Sequence, residues 1–283
     1  LITVIEATKH IAPAYRLEPA RQTKSILSNK GNKMNATTNV SFDLSNKIAL
    51  VSGGSRGIGK SICKALAAHG AHVIVASRKA ADCEQVAEEI RQEQGSAEAM
   101  ACHIGDMENI ESVFEAIERK HGRLDILVNN AATNPYFGQI TDTDLAAFNK
   151  TIDVNIRGYF FMSSIGIKLM AKNGGGSVIN VASINGVKPG ALQGIYSISK
   201  AAVISMTQAF AKECASMGVR VNALLPGLTD TKFASALVKN DEIRETVLKD
   251  VPLNRVAQPD EMAGAVLYLA SAASSYTTGS CIT

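Results

Sequence analysis

The chain has 283 residues, of which 46% are hydrophobic, and its formal net charge is +3. This length and apolar content allow one α/β domain with a large core, and the absence of a basic stripe argues against nucleic-acid binding. No apolar run reaches the ~20 residues that a membrane span requires. The five cysteines are scattered, which is typical of a reducing compartment. We therefore expect a cytoplasmic protein with a small-molecule substrate.

Residues 1–33 differ in composition from the rest of the chain. They carry six Lys or Arg against two acids, whereas the remainder carries 23 basic and 24 acidic residues. We interpret residues 1–33 as an unstructured leader outside the fold. It is either an organelle presequence or, as we favour, translated upstream sequence before a true start at Met34.

The first structural pattern is a strand, a glycine-rich turn and a helix. The apolar run 47–51 predicts a buried strand, and apolar residues recur at helical spacing from Ile58 until Gly70. The turn between them holds glycines whose small size permits a tight bend and close approach of a phosphate to the backbone. The helix N-terminus adds free N–H groups and a positive dipole. The pattern predicts a dinucleotide site at Gly53, Ser55, Arg56, Gly57, Ile58 and Gly59.

The end of the second predicted strand, residues 72–77, indicates which nicotinamide is bound. Enzymes that use NAD place an acid here for the ribose 2′-OH, whereas this chain has Ala76 and Ser77, followed by Arg78 and Lys79. An arginine can grip a 2′-phosphate with a charge-assisted fork, and Arg56 can approach the same phosphate. We predict NADP(H) in preference to NAD(H). The alternative is that Arg78 and Lys79 only begin a solvated helix.

Two histidines, His69 and His72, have a spacing that could suggest a metal site. The first ends a predicted helix, where a cation suits the dipole, and the second begins a strand. We therefore expect structural roles for both and no metal.

The spacing of Tyr196 and Lys200 indicates proton-transfer chemistry. The two lie four residues apart at the start of a predicted helix and so share one face. A nearby ammonium favours the phenolate and is expected to lower the tyrosine pKa from its usual ~10. Ser183 follows the predicted strand 177–181, at the sheet edge where ligands of open α/β sheets bind. This triplet predicts general acid–base catalysis at an alcohol or carbonyl.

Together these motifs resemble the short-chain dehydrogenase/reductase family, from about Phe42 to the last residue. The segments that carry the resemblance are Gly53 to Gly59, Asn129-Asn130-Ala131-Ala132, Asp153-Val154-Asn155, Ser183, Tyr196 to Lys200, and Pro226-Gly227. Loop segments such as Asn134-Pro135-Tyr136-Phe137-Gly138 resemble more narrowly its NADP-dependent carbonyl reductases of the member-4 type.

The resemblance implies a role for each matched residue. Tyr196 would be the catalytic acid/base, Lys200 its activator and ribose ligand, and Ser183 a donor to the substrate oxygen. Asn155 would bend its helix and hold a water that relays protons from Lys200. Asn130 would border the adenine ribose. The segment from Leu228 through Thr229 to Thr231 would meet the carboxamide and phosphates. The resemblance also implies a homodimer or homotetramer.

The chain departs from the family pattern in three places. His103 replaces an acid that relatives often carry near the adenine, and Ala132 replaces a glycine. The chain stops at Thr283, where relatives continue their last strand. We expect a single-domain doubly wound Rossmann sheet over residues 42–283, with helices on both faces, a missing last strand and a truncated C-terminus.

The predicted activity is hydride transfer between NADP(H) and a carbonyl or secondary alcohol. Apolar residues at candidate lining positions, among them Phe137, Phe233 and Leu237, favour a hydrophobic ketone or aldehyde. The alternatives are a 3-oxoacyl thioester reductase, a polyol or sugar-acid dehydrogenase, and a non-enzymatic NADP-binding scaffold. The first would need a basic patch to dock an acidic carrier protein, and only Lys232 and Lys239 are evident there.

Overall fold

The structure is a computed structural model that describes residues 40–238 and 241–283, save for the side chains of residues 236, 237, 242 and 243. The predicted leader, residues 1–33, lies outside the described residues, as do Lys239 and the side chain of Leu237. Residues 40–283 form one compact unit.

A seven-stranded parallel sheet forms the centre of this unit. Its order is β3-β2-β1-β4-β5-β6-β7, and each neighbouring pair is parallel. The order reverses between β1 and β4, which is the doubly wound topology that the sequence predicts. The strands are β1 (Ile48–Ser52), β2 (His72–Ser77), β3 (Ser96–Ala101), β4 (Ile126–Asn129), β5 (Gly176–Val181), β6 (Val219–Leu224) and β7 (Cys281–Ile282).

Helices cover both faces of the sheet, because the central strands are apolar on both sides and must be shielded from water. One apolar cluster packs α3, α5 and α6 onto the sheet, and a second packs α1, α2 and α9 onto the opposite face. The helices are α1 (Gly57–Ala68), α2 (Ala80–Gln92), α3 (Met107–His121), α4 (Leu145–Thr151), α5 (Tyr159–Lys172), α6 (Gly194–Cys214), α7 (Ser235–Val238), α8 (Asp241–Leu248) and α9 (Ala263–Ala270). None of the helices in the described ranges is both long and apolar enough to cross a bilayer.

The doubly wound fold is confirmed, with one correction at the edge of the sheet. The sequence predicts that the last strand is missing, but Cys281 and Ile282 pair in parallel with Ala223 and Leu224 of β6. The backbone N–H of Leu225 also donates to the Ile282 carbonyl at 2.7 Å. A strand of two residues escapes sequence patterning, because alternation of apolar and polar residues needs four or more positions to be recognised.

Candidate active site

The candidate site lies where the strand order reverses, at the carboxyl ends of β1 and β4. There the Asn130 side-chain amide donates to the carbonyls of Ser52 and Gly53 at 3.0 and 3.1 Å. The Ser52 hydroxyl in turn accepts from the Asn130 backbone N–H at 3.0 Å. These bonds join the end of β4 to the glycine turn. Asn130 therefore holds the turn in place, a positioning task that the sequence motif does not reveal.

The glycines of the turn stand at positions that do not accept a larger residue. Gly53 has φ +67° and Gly57 has φ +52°, both in the left-handed region that favours glycine. A Cβ on Gly59 would lie 2.2 Å from the Gly53 carbonyl oxygen, so only glycine lets the helix pack this closely against the turn. Ser55 is half-buried in the turn, whereas the Ile58 side chain packs against the core.

The helix α1 begins inside this turn, and its N-cap residue makes no side-chain hydrogen bond to the first backbone N–H groups. Arg56 precedes the helix, is exposed and makes no side-chain cap, and the first turn contains no acid. Free N–H groups at a helix N-terminus attract phosphate, and the absence of an acid removes the repulsion it would meet. The site therefore fits the pyrophosphate of a dinucleotide.

The segment 228–231 closes over the same turn. A Cβ on Gly57 would lie 3.2 Å from the Thr231 methyl group, so Thr231 covers the start of α1. The Leu228 carbonyl accepts from the Ala257 N–H at 3.0 Å, and Thr229 is buried and bonded to the Gly227 carbonyl. These contacts bring the predicted segment next to the glycine turn.

Positively charged side chains lie beyond the carboxyl end of β2. Arg78 is exposed and has no ion pair among the described residues. Burial lowers the pKa of His103, and the charges of Lys150 and Arg78 lower it further. The Lys150 Nζ lies 3.1 Å from His103 Nε2, while Gly105 N–H donates to His103 Nδ1 at 2.9 Å. His103 therefore lies beside Lys150, and the positive charges of Lys150 and Arg78 both disfavour its protonation.

The triplet predicted for proton transfer meets at the carboxyl end of β5. Tyr196 and Lys200 share one face of α6, and the Lys200 Nζ lies 5.7 Å from the centre of the Tyr196 ring. Ser183 follows β5, and its side chain is close enough to the Tyr196 hydroxyl to lower the pKa of that phenol. Lys200 is almost fully buried and donates to the Val181 carbonyl at 2.8 Å. The structure therefore brings together all three residues that the sequence singles out.

The protonation of this triplet differs from the sequence-based expectation. Burial raises the pKa of Tyr196 to about 12, although its hydrogen bond with Ser183 lowers it. Burial also lowers the pKa of Lys200 to about 7. The sequence predicts the opposite direction for the tyrosine, and this prediction is wrong because it considered the charge of the lysine and not the cost of burying both groups. At neutral pH Tyr196 holds its proton.

Asn155 lies in a π-helical segment, Ile152–Gly158, between α4 and α5. Its Nδ2 donates to the Thr133 carbonyl at 2.8 Å and to Ser199 Oγ at 3.0 Å, and its Oδ1 accepts from the Thr133 N–H at 2.9 Å. The widened helix agrees with the bend that the resemblance implies, since π segments are frequent at functional sites. The side-chain amide connects this bend to α6. The water that the resemblance places at Asn155, and the proton relay through it, stay predictions.

A buried tyrosine that the sequence motifs do not reveal supports Lys200 from below. Tyr159 is fully buried, donates to the same Val181 carbonyl at 3.1 Å, and its ring centre lies 5.1 Å from the Lys200 Nζ. Its position four residues after Asn155 is the signal that could have revealed it, because helical spacing places both on one face. A second buried network joins β4, β5, α5 and α6 through Asn129, Ser163, Asn180 and Thr207.

Comparison with known proteins decides the family. A family model described as enoyl-(acyl carrier protein) reductase matches residues 53–283. The human dehydrogenase/reductase SDR family member 4 is 38% identical over 236 residues, which cover 83% of this chain and 85% of the human protein. The chain belongs to the short-chain dehydrogenase/reductase family. The family predicted from the motifs is thereby confirmed.

Solved structures of this oxidoreductase family share the fold and differ in nicotinamide. A gluconate 5-dehydrogenase from Burkholderia cenocepacia J2315, in complex with NADP and tartrate, has a TM-score of 0.82 at 28% identity and covers 85% of this chain and 94% of that one. A 7α-hydroxysteroid dehydrogenase complexed with NADH and 7-oxo glycochenodeoxycholic acid has a TM-score of 0.82 at 30% identity, with 86% and 94% covered. The family fold therefore binds nicotinamide cofactors, and the choice between them depends on each chain's own residues.

We expect Gly59→Ala to damage the cofactor site of this family member. The added Cβ would lie 2.2 Å from the Gly53 carbonyl oxygen, so the turn must open. Overpacking of this kind costs about 1–3 kcal/mol. Titration with NADPH and NADH should show binding weakened by at least about tenfold, with a lower melting temperature.

The matched control is Gly264→Ala, in α9. A Cβ there meets nothing within 4 Å, and alanine is the better helix former by up to about 1 kcal/mol. It should leave cofactor binding unchanged. Equal binding by the Gly59→Ala variant would contradict the assigned role of this contact.

Proposed function

We propose that the chain is an NADP(H)-dependent oxidoreductase that reduces a carbonyl to a secondary alcohol through Ser183, Tyr196 and Lys200. The observation that carries this proposal is the buried cluster of these three side chains beside the glycine turn. When bound, the nicotinamide supplies the hydride, and the side chains supply position, charge and a proton.

Each residue of the cluster has one task in the proposed mechanism. The Ser183 side chain lies near the Tyr196 hydroxyl, and each hydroxyl has one O–H that can rotate to donate to a carbonyl oxygen bound beside them. These bonds polarise the carbonyl and stabilise the negative charge that develops on its oxygen. Tyr196 then gives its proton to that oxygen. Lys200, held by the Val181 carbonyl, holds the ribose and restores the proton through the path at Asn155.

The protonation of Tyr196 at neutral pH suits a general acid. A general acid must be protonated before it acts, and burial raises the pKa of this phenol to about 12. In the reverse reaction the same side chain would accept the proton.

The cationic end of β2 supports NADP(H). The Lys150 Nζ lies 3.1 Å from His103 Nε2, and the charges of Lys150 and Arg78 both lower the pKa of His103. An ammonium has three N–H donors, so Lys150 can also donate to an acceptor on a ligand. A 2′-phosphate oxygen is such an acceptor, and Arg78 can bind the same group bidentately.

The surroundings of Tyr196 support a hydrophobic carbonyl substrate. The Phe233 ring lies 5.8 Å from the Tyr196 ring, centre to centre, and is half exposed. The loop that carries Phe137 is held to Leu192 by the Gly138 N–H, which donates to the Leu192 carbonyl at 2.9 Å. Such apolar residues at a pocket mouth favour ketones or aldehydes with apolar substituents. Exposed apolar side chains in this region are Phe137, Val187, Leu192 and Phe233.

The helix pair α4 and α5 supports assembly into a homodimer or homotetramer. Leu145 and Phe148 of α4 are exposed, and so are Phe160 and Phe161, whose rings meet edge to face at 5.3 Å. A cluster of exposed aromatic side chains typically marks a protein–protein interface.

The experiment that tests the function is a screen of NADPH consumption with apolar ketones and aldehydes, retinal, 3-oxoacyl thioesters and sugar acids. We expect turnover with the apolar carbonyls. Faster turnover of 3-oxoacyl thioesters would favour the alternative of a 3-oxoacyl thioester reductase. Tight NADPH binding without consumption of any carbonyl would contradict the proposal and favour a non-enzymatic scaffold.

A further inference from the structure

Three side chains that can ligate metal meet at the end of the sheet opposite to the candidate active site. His72 is the first residue of β2, Glu98 lies in β3, and His121 is the last residue of α3. The His121 Nε2 lies 2.6 Å from Glu98 Oε1, and the His72 Nε2 lies 3.5 Å from the same oxygen. One ligand atom from each of the three lies within 4.8 Å of the other two.

The His72 ring carries an unused nitrogen that points into this cluster. Its Nδ1 is bonded to Ser96 Oγ at 2.7 Å, which fixes the orientation of the ring. Its Nε2 is buried and has no hydrogen-bond partner among the described residues. Buried polar atoms are nearly always partnered, so an orphan beside a carboxylate and a second imidazole is an unusual arrangement.

We propose that His72, Glu98 and His121 bind a divalent transition-metal ion of the zinc class. Two imidazole nitrogens and one carboxylate oxygen are a ligand set that zinc accepts, with water in the fourth position. Zinc bonds of ~2.0–2.2 Å in a tetrahedron hold neighbouring ligand atoms ~3.4 Å apart. The Glu98–His72 distance of 3.5 Å already has this value, and the Glu98–His121 pair must open by less than an ångström.

The neighbours of the cluster act as a supporting layer. The Ser96 hydroxyl orients His72, as outer partners of zinc-ligating histidines usually do. Lys120 forms a hydrogen bond with Oε2 of Glu98, whereas Oε1 faces the two histidines. Lys120 is 60% exposed and can move away from an incoming cation. The three ligand side chains are 13–26% exposed, so an ion can enter from solvent.

The position of the site indicates what the ion would do. The strand β3 lies at the edge of the sheet and pairs only with β2 among the described strands. An ion shared by β2, β3 and α3 would fasten this edge strand to its neighbour and to the covering helix. Arg78 follows the other end of β2, six residues past His72 and ~20 Å away at the usual rise. The ion would therefore stabilise the fold without touching the cofactor.

The test measures metal binding to the purified full chain after treatment with a chelator. We expect one Zn²⁺ per chain by calorimetry, and visible absorption bands of tetrahedral cobalt after addition of Co²⁺. His72→Gln and His121→Gln should each weaken binding by at least about tenfold, and Glu98→Gln should do the same. Zinc should raise the melting temperature of the parent protein and not that of the variants.

The control is His69→Gln, because His69 lies three residues from His72 but its ring bonds to the Ala65 carbonyl at 2.8 Å. It should bind zinc as the parent does. Equal loss in this control, or unchanged binding in both His72→Gln and His121→Gln, would overturn the proposal. So would the absence of saturable zinc binding by the parent chain. NADPH titration of the same samples keeps this result separate from the proposed function, since zinc should leave NADPH affinity unchanged.

Discussion

Tyr196→Phe is expected to lower kcat of carbonyl reduction by about 10³-fold, the usual contribution of a positioned general acid. The substitution removes one hydroxyl and keeps the ring, which is only 7% exposed and packs against Phe233. Cofactor affinity should therefore change by less than about threefold, because the glycine turn and the cationic end of β2 are untouched. Steady-state kinetics with the best substrate of the screen, together with NADPH titration, measure both quantities.

Tyr268→Phe is the matched control for this substitution. Tyr268 also carries a bonded hydroxyl, 3.0 Å from Thr277 Oγ1, but it lies in α9. Removal of that hydroxyl should cost about 1 kcal/mol of stability and leave kcat unchanged. If the Tyr196→Phe variant were folded and kept more than a tenth of the parent kcat, Tyr196 would not be the proton donor.

The fold was largely predictable from the sequence because the central strands are short apolar runs with clear boundaries. The predicted strand 72–77 coincides with β2, and the helical spacing predicted from Ile58 until Gly70 matches α1. Residues 96–101 show the limit of this method, since Ser-Ala-Glu-Ala-Met-Ala contains no β-branched or aromatic residue. These residues form β3 only because they pair with β2, and the pairing is not visible in local composition.

The candidate site was predictable where chemistry depends on spacing and not where it depends on burial. The four-residue interval between Tyr196 and Lys200 placed both on one helix face. The pKa directions of the pair depend on how deeply the packed helices bury them, which a sequence does not show. In the same way His72 was paired with His69 by spacing, whereas the fold brings it to Glu98 and His121 from two distant segments.

The proposed preference for NADP(H) rests on charge, so we expect that changing one charge reverses it. Arg78 follows β2 at the point where NAD-dependent relatives place an acid. The backbone there is fixed by the Gly54 N–H, which donates to the Ala76 carbonyl at 3.1 Å, so the glycine turn and the end of β2 keep their positions when Arg78 changes. An aspartate at position 78 would repel a 2′-phosphate and could accept a hydrogen bond from a ribose 2′-OH.

Arg78→Asp is therefore expected to lower kcat/KM for NADPH by about 100-fold, equivalent to about 2.7 kcal/mol, and to raise kcat/KM for NADH. Arg119→Asp makes the same change of charge on an exposed residue in the last turn of α3, beside the opposite end of the sheet, and should alter neither value. Kinetics with both cofactors at one ionic strength measure the effect. An unchanged preference in the Arg78→Asp variant would show that Arg78 does not set the choice of cofactor. A matching shift in the Arg119→Asp variant would show that net charge alone is responsible.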